Sequence, residues 1–110
     1  MITLDKNHQI IEVNATALNA IYADQSRELL LQLDFLLDDW LANMPELQRI
    51  ETVTGADRYQ IRLGLPPHEF YLFVDDYTES IWIESALPDS EVALEYFYQQ
   101  LSPLAVLEES

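Results

Sequence analysis

The stretch Arg58-Tyr59-Gln60-Ile61-Arg62-Leu63-Gly64-Leu65 decides the fold. Tyr59, Ile61, Leu63 and Leu65 fall on one side of an extended chain, and Arg58, Gln60 and Arg62 fall on the other. Successive side chains of a strand point to opposite faces, so this period of two specifies a strand with one face in a core and the other toward solvent. That pattern belongs to antiparallel sheets. Downstream, Pro66-Pro67 punctuates the chain. Phe70 to Val74 is apolar on both faces and reads as a central strand. Asp75-Asp76-Tyr77-Thr78 turns, and Ser80 to Ser85 returns with Ile81 and Ile83 on one face and Trp82 on the other. Upstream, Gly55-Ala56-Asp57 is a turn and Ile50 to Thr54 a further strand, which completes an antiparallel meander.

Before Pro45 the period is helical. Leu29, Leu33, Leu36, Leu37, Trp40, Leu41 and Met44 recur at helical spacing and predict a helix over about 26–43 with one broad apolar face. Ser26 is placed to cap its start, and Pro45 ends it, because the residue before a proline resists the α conformation. The opposite face carries Glu28, Gln32, Asp34, Asp38 and Asp39, and among them the apolar i, i+4 pair Leu31 and Phe35. A helix apolar on both sides is covered twice, by its own chain or by a partner.

The ends of the chain complete the order. Ile2-Thr3-Leu4 and Ile10-Ile11-Glu12-Val13 form a hairpin around Lys6-Asn7-His8-Gln9, and Asn14 caps a helix to about Ala23. A last helix opens at Pro88-Asp89-Ser90, runs to about Leu101 and stops at Ser102-Pro103. Leu104 to Leu107 is expected as a short edge strand or a docked segment. The expected architecture is one α+β domain over 1–110, with an antiparallel meander of four to six strands packed against two or three helices in the order ββααββββα.

Charge is the outlying property of the composition. Asp and Glu number 20 against 5 Lys and Arg, a net of −15. Residues 1–62 hold 10 acids and 5 bases, whereas residues 63–110 hold 10 acids and no base. Such a surface repels phosphate backbones and anionic membranes and attracts basic partners, so neither nucleic acid nor membrane is an expected ligand. With 49% hydrophobic residues the chain has the apolar content of a folded protein. It has no cysteine, which removes disulfides, thiolate metal sites and thiol nucleophiles and fits a reducing cytoplasm, the expected location. Met1-Ile2-Thr3-Leu4-Asp5 lacks the basic and apolar regions of a signal peptide.

No recognisable chemistry accompanies this charge. The histidines are His8, in the first turn, and His68, beside the double proline; neither has a catalytic partner at motif spacing, and both are expected as exposed loop residues. Two glycines are too few for a phosphate loop. Asp75, Asp76 and Glu79 cluster in a turn without the glycine and alternating ligands of a calcium loop. An enzyme, a metal and a cofactor are therefore not expected.

One segment resembles a known family. Asp5, Ile10, Val13-Asn14, Ala17 and Ser26-Arg27-Glu28-Leu29-Leu30 resemble the opening of a PAS sensor domain. The resemblance covers about a quarter of the chain and implies a five-stranded antiparallel sheet that holds a small ligand against its helices. The remainder departs from it: the Leu-rich helix is long, four strands follow it, and a helix closes the chain.

The leading expectation is a non-catalytic protein–protein interaction module, of adaptor, chaperone-like or inhibitor/immunity-like kind, with a basic protein partner. A PAS-like sensor is the alternative. One expected contact site is Leu31 and Phe35 ringed by Glu28, Asp34, Asp38 and Asp39; the other is the hairpin Asp75-Asp76-Tyr77-Thr78-Glu79 with Trp82 and Glu84. Self-association as a homodimer through Leu31 and Phe35 is an equal use of the first site.

Overall fold

A computed structural model describes residues 2–56, 58–87 and 91–105. The chain runs β1 (Ile2–Leu4), β2 (Ile11–Val13), α1 (Ala15–Tyr22), α2 (Leu29–Asn43), β3 (Gln48–Thr54), β4 (Arg58–Leu65), β5 (His68–Asp75), β6 (Ser80–Ser85) and α3 (Glu91–Ala105). This is the ββααββββα order expected, in an α+β fold. All six strands join one antiparallel sheet in the order β1-β2-β6-β5-β4-β3. The meander β3 to β6 forms from neighbours in sequence. The N-terminal hairpin then closes onto its end, with Ile11 opposite Ile83 and Val13 opposite Ile81. The sheet therefore has one strand more than the PAS resemblance implies.

The period of two does what it specifies. Ile61, Leu63 and Leu65 of β4, Phe70, Leu72 and Val74 of β5, and Ile81 and Ile83 of β6 are buried on one face. They meet Leu18 of α1, Leu33, Leu36, Leu37 and Trp40 of α2, and Ala93, Leu94, Phe97 and Leu101 of α3 in a single core. Phe97 links the layers, with its ring centroid 4.6 Å from Phe70 and 6.4 Å from Trp40. The fully buried residues of all three helices belong to this inward side, so none of the described helices covers the opposite face of the sheet.

Several boundaries differ from expectation for physical reasons. α2 begins at Leu29 rather than Ser26, because the Ser26 hydroxyl accepts from the Glu28 backbone N–H (3.0 Å) and closes a turn ahead of the helix. Glu28 then holds the cap position with no side-chain capping bond. Asn14 does cap α1, its side-chain oxygen accepting from the Ala17 N–H at 3.1 Å. α3 does not stop at Ser102-Pro103 but continues to Ala105 with Pro103 inside it. Leu101 is wholly buried and Leu104 packs on the core, so tertiary burial holds the last turn despite the missing proline N–H. Leu104 and Ala105 are thus helical rather than an edge strand, and residues 106–107 of that expected segment lie outside the described residues, as does the expected opening at Pro88-Asp89-Ser90. His68 is not a loop residue: it opens β5 opposite Leu65, half-buried, with its ring 6.2 Å from that of Tyr96.

Candidate functional site

The register of the sheet assembles the outward side chains into rows. Val53, Gln60, Phe73, Trp82, Glu12 and Thr3 lie opposite one another across β3, β4, β5, β6, β2 and β1. A neighbouring row holds Glu51, Arg62, Tyr71 and Glu84, and a third holds Arg58, Asp75 and Ser80. In the centre, Phe73 and Trp82 stack with ring centroids 5.3 Å apart and an interplanar angle of 20°, and Tyr71 follows at 6.1 Å from Phe73. All three are half-buried and in contact along the row, and none of the described helices packs over them. Pairs of this kind contribute about 0.5–1.5 kcal/mol beyond their area. They hold the rings as a fixed platform.

Polar groups fix the edges of that platform. The Trp82 indole N–H donates to Glu84 Oε2 at 2.9 Å, which sets the plane of the ring. Arg62 Nε donates to Glu69 Oε1 at 2.8 Å, and this hydrogen bond, with the Glu69 charge behind it, raises the guanidinium pKa above its ordinary value. Asp75 is the buried acid of the group: Oδ1 accepts from the backbone N–H groups of Tyr77 (3.1 Å) and Thr78 (3.3 Å), and Oδ2 lies 3.4 Å from Arg58 Nε. These bonds shape the β5–β6 turn, where Glu79 takes a left-handed backbone (φ 54°). Between that turn and β2 a groove of about 460 Å³ opens beside Trp82, lined also by Glu12, Asp75, Thr78, Glu79 and Ser80.

The structure places the expected site residues on opposite sides of the sheet. Asp75, Asp76, Glu79, Trp82 and Glu84 come together at the turn and the outward face. Glu28, Leu31, Asp34, Phe35, Asp38 and Asp39 lie on or beside α2, on the inward side. There Leu31 is 42% exposed, but Phe35 is half-buried with its ring centroid 5.8 Å from that of Tyr22 in α1. Asp34 pairs with Arg49 of β3 at 3.1 Å, and Asp39 accepts from Asn43. Gln32, grouped by spacing with the polar residues of that face, is buried; its Nε2 donates to Asn19 Oδ1 (2.7 Å) and to the Ser26 carbonyl (2.8 Å). The second apolar side of α2 is thus covered in large part by α1.

Tyr71 and Phe73 are the site residues that sequence reasoning missed. Their signal was present, since Phe70–Val74 is apolar on both faces while the helices can cover one. Among the described residues, no group of three or more His, Asp or Glu could hold a metal ion, and no helix is long and apolar enough to cross a membrane. His8 lies 3.8 Å from Glu95 and His68 contacts aromatic rings, so neither joins the groove. Compared with known proteins, the chain matches no family model, no curated protein and no solved structure.

Proposed function

We propose that this chain is a non-catalytic protein–protein interaction module, of adaptor, chaperone-like or inhibitor/immunity-like kind, which binds its partner on the open face of the sheet. The observation that carries this reading is the Tyr71-Phe73-Trp82 row. It lies half-buried on the two central strands, where none of the described helices covers it, while the helices pack on the other face of those strands. Large aromatics held rigid by their neighbours lose little entropy on contact and are the residue types that dominate interface energies. The carboxylates around them suit long-range attraction of a basic partner, which raises the association rate more than the final affinity. The absence of cysteine and the excess of acid fit a cytoplasmic protein that meets neither nucleic acid nor membrane.

The sensor alternative asks for a ligand cavity between sheet and helices. Phe70, Phe97 and Trp40 meet ring to ring there, and no observation favours that reading over the first. The test is capture from native extract on three immobilised proteins: the wild type, Phe73→Thr and Leu31→Ser. A partner held by the wild type and by Leu31→Ser, lost with Phe73→Thr, and released at ~0.5 M salt, where the Debye length is roughly 4 Å, supports the proposal. A partner lost with Leu31→Ser and kept by Phe73→Thr assigns binding to α2 instead and overturns it.

A further inference from the structure

We infer that the occupant of the open face is a basic segment of another protein, which sets apolar side chains on Tyr71 and Phe73 and a lysine or arginine in the groove beside Trp82. This rests on the open-face reading and adds the partner's chemistry to it. Trp82 has Phe73 stacked on one flank; on its other flank Glu12 is its register partner, and both line the groove. A cation beside a tryptophan is attracted by the ring quadrupole within about 6 Å of its centroid. A carboxylate next to the ring strengthens that attraction.

The charge of the face is one-sided after its internal pairing. Its arginines are already matched, Arg58 to Asp75 and Arg62 to Glu69. The Glu12 and Glu79 carboxylates, by contrast, have no ion-pair or hydrogen-bond partner among the described residues, and no basic side chain among those residues lines the groove. Asp76 and Glu79 extend the negative rim along the turn, in a half of the chain that has no base. A second copy would carry the same net −15 over its whole chain and the same unpaired carboxylates on this face, so like-charge repulsion opposes self-association there. A cationic partner is the complementary one.

The test uses a fluorescein-labelled decapeptide of alternating lysine and valine, titrated with the full chain at ~0.05 M salt and followed by anisotropy, with a glutamate–valine decapeptide as control. Two double variants remove the same formal charge: Glu12→Gln with Glu79→Gln at the groove, and Asp38→Asn with Asp39→Asn on α2. The expected result is binding of the lysine peptide alone, weakened on the order of tenfold by the groove pair and within about twofold of wild type for the helix pair. Equal weakening by both pairs shows attraction to overall charge and overturns the inference. So does a groove pair that binds like wild type; if Phe73→Thr still abolishes binding in that case, the open-face reading survives without the groove. A wild-type dimer by sedimentation that Phe73→Thr dissolves makes the occupant a second copy, and overturns it too.

Discussion

Gln32 shows how one side chain can join elements that periodicity keeps apart. Its spacing groups it with the carboxylates of α2, yet its amide lies buried between Asn19 of α1 and the Ser26 carbonyl of the connecting turn. A pattern of polar and apolar letters cannot register this, because the partners sit 13 and 6 residues away and only the docking of α1 brings them near. Asn14 is the opposite case: a local cap, read directly from the sequence and found. Both are testable by urea denaturation. Gln32→Ala removes two hydrogen bonds, to an exposed Asn19 and a half-buried Ser26, and at about 0.5–1.5 kcal/mol for each should cost about 1–3 kcal/mol. Asn14→Ala should cost about 1 kcal/mol. If the Gln32 variant were as stable as wild type, the α1–α2 contact would not depend on this amide.

At the scale of elements, β4 was legible because its alternation has one interpretation, and β5 was legible as central because it is apolar on both sides. What the second apolar side of β5 faces was not legible, since it depends on how many helices reach which face. The same limit applies to α2: sequence shows apolar residues on two sides, and the fold assigns one to the sheet and most of the other to α1. Leu36 is buried in the core and Phe35 only half-buried against Tyr22. Leu36→Ala should therefore cost about 2–5 kcal/mol and Phe35→Ala distinctly less, in equilibrium unfolding. Equal costs would mean that α1 seals Phe35 as firmly as the sheet seals Leu36. The run of α3 through Pro103 teaches a related lesson, because a local stop signal yields where Leu101 and Leu104 have a core to fill.

At the scale of the whole molecule, charge is the property that sequence gives most completely and folding refines least. A net of −15 on 110 residues should repel itself in the compact state. The urea midpoint should rise as sodium chloride goes from ~0.01 to ~0.15 M, where the Debye length falls from roughly 30 to 8 Å. A midpoint that fell instead would mean that internal ion pairs outweigh the repulsion. Folding adds position to this charge: it takes Asp34 and Asp75 into internal pairs and leaves Glu12 and Glu79 beside a half-buried aromatic row. The measurement that bears most directly on that placement is a nitrogen-15 NMR titration of the full chain with the lysine–valine decapeptide, following backbone amides and the Trp82 indole. Shifts should concentrate on Glu12, Gln60, Tyr71, Phe73 and Trp82, with the indole among the largest. Shifts concentrated on Leu31, Asp38 and Asp39, with the outward strands unmoved, would contradict it.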